Sequence, residues 1–179
     1  MARVAQGNVN PDHEAAIVGK MAKLLASDIR KMEQQALSDT IKTFLHYNRA
    51  REAYLSIQGL ISTITERIPA AEAALPDGFA TWVIRCKLRA LSAFTRICHG
   101  FFRNPPLTLT HSLGAWDILS EERRNFDAVM QYFDSMIMEA GIDDKTADAL
   151  EETRVQIEDI LGMLEQLLTS SPKRLEEFE

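Results

Sequence analysis

The chain has 179 residues, of which 46% are hydrophobic and 26% charged, a composition typical of one ordinary globular domain. No run approaches 18 apolar residues and the first dozen residues lack an apolar signal segment, so we expect a cytoplasmic protein with no membrane partner. Cys86 and Cys98 fall on one predicted helix, roughly 18 Å apart at 1.5 Å per residue, which excludes a disulfide between them and favours a reducing compartment.

The net charge of −6 is unevenly distributed along the chain. Residues 79–103 hold five basic and no acidic side chains, whereas residues 104–179 hold six basic and seventeen acidic ones. A basic central segment followed by an acidic final third predicts pairing within the chain first and external partners second.

The first predicted helix follows a flexible N-terminus at residues 1–11 and opens a single domain at residues 12–169. Asp12 is a good N-cap, so we expect the helix to begin near His13. Its apolar residues recur at helical spacing: Val18, Met21, Leu25, Ile29, Met32 and Ala36. A charged tail, residues 170–179, ends the chain.

The second predicted helix covers residues 39–68, with Ser38 or Asp39 as its cap and Pro69 as its end. Its apolar residues point in two opposed directions, Phe44 and Leu55 on one side, Ile57, Ile61, Ile64 and Ile68 on the other. Asn48 and Glu52 share the stripe of Phe44 and Leu55. Polar side chains on an apolar stripe need hydrogen-bond partners, so this pair predicts either a structural hydrogen-bond network or a polar pocket.

The third predicted helix, residues 77–103, is apolar over more than half its circumference and is therefore expected at the centre of the fold. Its polar strip carries four arginines within roughly 40° of one another at 100° per residue, a feature named here the arginine row: Arg85, Arg89, Arg96 and Arg103. Two interpretations stay open. The row either pairs with carboxylates of later helices, such as Glu121, Glu122, Glu151 and Glu158, or binds an anionic partner.

The remaining segments complete a helical pattern. Residues 104–114 form a loop with two prolines, and Leu107 and Leu109 alternate with threonines as in a short extended piece. A regular helix follows at about 115–140, closed by Gly141, and a last helix is capped by Asp143 or Asp144 and stopped at Ser170-Ser171-Pro172. We therefore predict an all-α bundle of about five long helices with short connections and no sheet.

Motifs for catalysis and cofactor binding are absent from the sequence. The four histidines stand singly, without Glu-x-x-His, His-x-x-x-His or Cys-x-x-Cys spacing, so no metal site is predicted. No glycine-rich phosphate loop and no Gly-x-Ser-x-Gly elbow occurs. We expect no cofactor and no enzymatic activity.

Two short stretches are similar to parts of known families. His99 followed by Pro105-Pro106 resembles the proximal-histidine region of globin-type sensor domains over fewer than ten residues, without that family's following aromatic residues; the resemblance implies haem held by His99. Arg103-Asn104 with His111 resembles the Arg…His element of helical HEPN ribonucleases, with a longer spacing, which implies a nuclease.

Three hypotheses follow for the function. The favoured one is a non-enzymatic helical protein-interaction module, an adaptor, regulator or assembly subunit that also self-associates, because the helices offer more apolar stripes than one core covers. The second is a nucleic-acid-binding helical protein, of packaging or coat type, that uses the arginine row. The third is a small-molecule or haem sensor built around His99 or around Asn48 and Glu52.

Overall fold

A computed structural model of the protein describes residues 10–38, 40–110, 114–141 and 144–170. These residues are 90% helical and include no strand, which confirms the all-α prediction. Five long helices and one single-turn helix follow in chain order: α1 (Pro11–Leu37), α2 (Phe44–Ala71), α3 (Phe79–Arg103), α4 (Leu107–Thr110), α5 (Ala115–Ala140) and α6 (Asp144–Ser170). None of the helices in the described ranges combines the length and apolarity needed to cross a membrane.

Helix α3 lies at the centre of the bundle and packs against α1, α2, α5 and α6. Twelve of its residues are buried, among them Phe94 and Ile97. This confirms the prediction that the most apolar helix is central, because a helix that is hydrophobic over most of its surface is stable only with neighbours on several sides.

The long helices alternate in direction. Tyr54 of α2 stacks on Phe94 of α3 at 4.2 Å, and Tyr47, two turns earlier in α2, stacks on Phe101 at 4.5 Å, so α2 and α3 are antiparallel. The ion pair between Glu14 and Arg67 joins the start of α1 to the end of α2. Helix α1 therefore runs parallel to α3.

Helices α5 and α6 cover the other side of α3. Phe126 of α5 stacks with Phe94, and Ala140 at the end of α5 lies next to Arg85 near the start of α3, so α5 is antiparallel to α3. Helix α6 follows α5 by a short connection and runs parallel to α3. The result is an up-down-up-down-up bundle of five long helices.

The start of the first helix and the bounds of the second differ from the predictions. The N-cap of α1 is Asn10 and not Asp12: the side chain of Asn10 accepts a hydrogen bond from the backbone N–H of Asp12, and Pro11 occupies the first helical position. Thr43, and not Ser38, caps α2, where its hydroxyl oxygen accepts from His46 N at 3.2 Å. Asp39 lies outside the described residues.

Pro69 does not end α2, which continues to Ala71. A proline this near the C-terminus removes one hydrogen bond from the last turn only. Ala71 is completely buried, so packing on the core holds that turn in place despite the proline.

Of the two opposed apolar faces predicted for α2, one is buried, against α1 and α3; on the other, Phe44 is half-buried against the core and Leu55 is exposed. The buried face consists of Tyr47, Ala50, Tyr54, Ile57, Ile61 and Ile64. Leu45 and Leu55 point outward and are 58% and 48% exposed.

The prediction of an extended segment at residues 107–109 is also wrong. These residues belong to the single-turn helix α4, at whose start Leu109 N donates a hydrogen bond to Pro106 O.

The bounds predicted for α5 are confirmed. Gly114 and Gly141 have positive φ values of 87° and 54° at its two ends, a conformation that glycine adopts without strain. Helix α6 is described as far as Ser170; Asp143, Ser171 and Pro172, which belong to its predicted cap and stop, lie outside the described residues.

Candidate functional site

Three residues of the arginine row, Arg85, Arg89 and Arg96, lie in the floor of an open groove. Helices α1 and α6 lie on either side of α3 here, and the cavity between them has a volume of about 520 Å³. Residues spaced three and four apart along α3 face it, as one side of a helix must. This arginine groove is lined by Glu33, Ala36, Leu37, Arg85, Leu88, Arg89, Ser92, Ala93, Arg96, Gly141, Thr146 and Leu150.

Arg89 pairs with a carboxylate of the neighbouring helix α1. Its Nε lies 2.9 Å from Glu33 Oε1 and its Nη2 lies 2.8 Å from Glu33 Oε2, a two-pronged geometry that fixes both side chains. The carboxylate beside it raises the pKa of Arg89, against the opposing effect of partial burial. The charge of Arg89 is therefore matched within the chain.

Arg85 has no such counter-charge among the described residues. Its Nε and Nη2 donate to the carbonyl oxygens of Ala140 and Gly141 at 3.2 and 3.0 Å, where α5 ends. A cation at a helix C-terminus interacts favourably with the exposed carbonyl groups. Carbonyl groups are neutral, however, so the guanidinium keeps a full positive charge at the edge of the groove.

Arg96 has a weaker partner on the opposite wall. Its Nη2 lies 3.7 Å from Glu152 Oε1 of α6, and the two side chains are 43% and 60% exposed. Exposed pairs at this distance contribute little to stability and exchange readily with solvent. Arg96 is therefore available to an anionic group that enters the groove.

Arg103 lies at the far end of the row, beside a second cavity of about 510 Å³ between α3 and α6. His99, Glu158 and Asp159 line the same cavity, and His99 Nε2 lies 3.4 Å from Asp159 Oδ2. Within the described residues Arg103 has no hydrogen bond or ion pair. The row thus ends, as it begins, in an arginine whose charge no carboxylate matches.

The groove combines a basic floor with apolar walls. The first cavity is lined by three arginines, Arg85, Arg89 and Arg96, and by one carboxylate, that of Glu33. Leu37, 76% exposed, stands on the α1 wall. Positive charge flanked by apolar surface suits a ligand that is itself amphipathic.

Arg96 does lie near a carboxylate of a later helix, Glu152 of α6, but the four carboxylates named as partners of the row form their ion pairs with other arginines. Glu121 and Glu122 on α5 both bind Arg51 of α2. The reason is the packing order: α5 meets α3 on the side that faces α2, away from the groove. On α6, Glu151 and Glu158 lie near Arg154 of their own helix, at 3.5 and 3.8 Å.

The contact between Arg51 and Glu122 belongs to a buried polar cluster that sequence reasoning missed. Glu122 is 1% exposed, and burial raises the pKa of its carboxyl group more than Arg51 lowers it. A signal was present, because Glu122 occupies the buried stripe of α5 between Leu119 and Phe126. Arg51 likewise follows buried Ala50 on α2.

Asn48 and Glu52 sit beside this cluster but outside it. Asn48 is half-buried and Glu52 is exposed, and the stripe they share with Leu55 faces outward. No described hydrogen bond involves either side chain. The polar residue that α2 directs toward the interior is Arg51, one helical position away from the predicted pair.

The two cysteines are free, and both are buried. Burial raises the pKa of Cys86 and raises that of Cys98 well above its ordinary value. A thiol that stays protonated is a poor nucleophile and a poor metal ligand.

Within the described ranges no three His, Cys, Asp or Glu side chains are grouped to hold a metal ion. His111, part of the resemblance to HEPN ribonucleases, lies outside the described residues.

Comparison with protein-family models, with curated proteins and with solved structures finds no match to this chain. The arginine groove is therefore assessed from its own geometry.

Proposed function

We propose that the chain is a non-enzymatic helical protein-interaction module, an adaptor, regulator or assembly subunit, that binds protein through the arginine groove. The observation that supports this is the groove itself: an open channel between α1 and α6, with arginines in its floor and exposed Leu37 on its wall. Arginine beside apolar side chains is the composition enriched in protein interfaces.

Nucleic-acid binding is the competing function for the same residues. Backbone phosphates require protruding cations with few carboxylates nearby. Glu33 instead lines the groove, Glu152 lies 3.7 Å from Arg96, and Glu158 and Asp159 line the second cavity beside Arg103. These carboxylates repel a polyphosphate chain, which carries a charge at every nucleotide, whereas a protein partner can place its carboxylates opposite Arg85 and Arg103 alone. This balance favours a protein partner.

The test is affinity capture from an extract of the source cells, with and without nuclease. Wild type is compared with Arg85→Gln/Arg96→Gln, and Arg49→Gln/Arg124→Gln on the exposed faces of α2 and α5 serves as the matched control. We expect protein partners that survive nuclease treatment and are lost with the groove variant alone. Retention that disappears with nuclease assigns the row to nucleic acid. Equal retention by both variants removes the groove from the function.

A further inference from the structure

We infer that the occupant of the arginine groove is helix α6 of a second copy of this chain. The inference rests on the proposed function, because it names the partner of that groove. It also goes further, since it fixes the symmetry of the complex and the residues that meet.

The solvent-exposed side of α6 is rich in carboxylates, which are opposite in charge to Arg85 and Arg103. Glu151, Glu152, Glu158 and Asp159 have side chains more than half exposed. With the exposed residues at either end they form the acidic ridge, defined as Asp148, Glu151, Glu152, Glu158, Asp159 and Glu165. Arg154, the basic residue among them, lies toward α5, near Asp134. Glu151 and Glu158 also lie near Arg154, Glu152 near Arg96 and Asp159 near His99. Among the described residues, the carboxylates at the two ends of the ridge, Asp148 and Glu165, have no ion pair, so the uncompensated negative charge lies at those ends.

The acidic ridge and the arginine row have the same length. Arg85 and Arg103 are 18 positions apart, which is about 27 Å along a straight helix at 1.5 Å per residue. Asp148 and Glu165 are 17 positions apart, or about 26 Å. An α6 helix laid along α3, over both cavities, can thus place a carboxylate at both ends of the row.

The position of the ridge makes the contact self-complementary. Helix α6 is itself one wall of the groove, so ridge and groove lie side by side. A two-fold rotation that places a second α6 in this groove also places this α6 in the second groove, which gives a closed dimer. The two α6 helices are antiparallel in such a dimer.

The register of the dimer follows from which residues lie level with each other in one copy. Arg85 lines a cavity with Thr146, and Arg103 lines one with Gln166. An antiparallel second α6 therefore brings Glu165 of the second copy to Arg85 and Asp148 of the second copy to Arg103. The midpoint of this register falls near residues 156–157, next to Val155, an apolar residue that is 48% exposed in the middle of the acidic ridge. Val155 of each copy therefore lies close to the symmetry axis.

A helix fits this groove better than an extended peptide. The walls and floor are helices, which offer side chains and no free row of backbone groups, and a helix satisfies its own backbone hydrogen bonds. Two such contacts, each about 27 Å long and about 10 Å wide, bury on the order of 1,200 Å² in total, the lower end of specific interfaces. The dimer is accordingly reversible and depends on concentration.

Sedimentation velocity between about 1 and 100 μM protein, a range that covers moderate dimer affinities, tests the inference with two charge-reversed variants. Arg85→Glu/Arg103→Glu reverses the ends of the row, and Asp148→Lys/Glu165→Lys reverses the ends of the ridge. Each alone is expected to weaken the dimer about tenfold or more, which is 1.4 kcal/mol or more. An equimolar mixture restores it, because each groove then meets a ridge of opposite charge. Arg49→Glu/Arg124→Glu controls for the change in net charge.

Val155→Asp is a second route to the monomer that leaves every described internal ion pair intact. A wild type that stays monomeric at 100 μM overturns the inference. The inference is also overturned if the charge reversals do not weaken the dimer, or if an equimolar mixture of the two weakened variants does not dimerise as the wild type does. If the protein is monomeric yet loses a nuclease-resistant partner with Arg85→Gln/Arg96→Gln, the proposed function stands and the second copy is not the occupant.

Discussion

Arg89 of α3 holds both carboxylate oxygens of Glu33 on α1, with N–O distances of 2.9 and 2.8 Å. The two side chains are 49% and 35% exposed, so solvent screens the attraction. The pair ties one wall of the arginine groove to its floor and sets the distance between them. It does so without neutralising Arg85 or Arg103.

The contribution of this ion pair is measurable by a double-mutant cycle. We expect a coupling of about 0.5–1 kcal/mol between Arg89→Gln and Glu33→Gln in urea unfolding, because the two-pronged geometry is good and the site is partly hydrated. The longer pair of Arg96 and Glu152 is the internal comparison and should couple by less than about 0.5 kcal/mol. A coupling near zero for Arg89 and Glu33 contradicts a structural role.

Replacement of Phe94 tests the central position of α3. Its ring is 4% exposed and stacks on Tyr54 at 4.2 Å and on Phe126 at 6.3 Å. Phe94→Ala should lower the free energy of unfolding by about 3–5 kcal/mol, since it removes apolar contacts and leaves a cavity. Leu55→Ala on the exposed face of α2 should cost less than about 0.5 kcal/mol. Similar losses for both variants refute the proposed packing order.

The buried carboxyl group of Glu122 makes stability depend on pH. Its pKa is raised in the folded chain above the ordinary value of 4.5, so the folded state holds this proton to higher pH than the unfolded state. The resulting stabilisation is fully present below the ordinary pKa and is lost as pH rises through the raised one.

Glu122→Gln removes this titration while it keeps the shape of the side chain. We compare the free energy of unfolding of the wild type with that of the variant at each pH. The difference, wild type minus variant, should fall as pH rises from about 4 and then level off, because the raised carboxyl pKa stabilises only the protonated folded state. Urea unfolding at a series of pH values measures it. A difference that grows with pH would mean that the attraction of Arg51 outweighs burial.

The two thiols report on the opening of the core. Cys86 and Cys98 are 1% and 0% exposed, and burial raises the pKa of both. We expect native protein to react with iodoacetamide only at the rate of unfolding. Phe94→Ala should accelerate labelling of Cys98 through its lower stability, whereas Leu55→Ala leaves the rate unchanged. Rapid labelling of the wild type at neutral pH contradicts the buried placement.

The fold was predictable because each long helix carries its own periodic apolar stripe. The row of Arg85, Arg89, Arg96 and Arg103 was predictable for the same reason, since residues on one face of a helix stay together whatever packs around them. Errors fell where tertiary packing outweighs local preference. Pro69 stays inside α2 because Ala71 is buried.

The partners of the row were not predictable, because spacing within one helix does not say which neighbour lies on which side. Glu122 was expected beside the arginine row and lies instead against Arg51. The choice between Glu52 and Arg51 as the inward polar residue of α2 depends on a rotation of one residue, about 100° of helix, which an ambiguous pattern does not fix.

The most direct test of self-association through the arginine groove is methyl NMR of the wild type on dilution from about 200 to about 5 μM, a range that brackets a moderate dimer affinity. Leu37 on the groove wall and Val155 on the acidic ridge are 76% and 48% exposed, and Leu45 and Leu55 on α2 are exposed to a similar degree. We predict concentration-dependent shifts at Leu37 and Val155, with Leu45 and Leu55 unchanged. Shifts confined to Leu45 and Leu55, or no shift at any of the four, would contradict a second copy as the occupant of the groove.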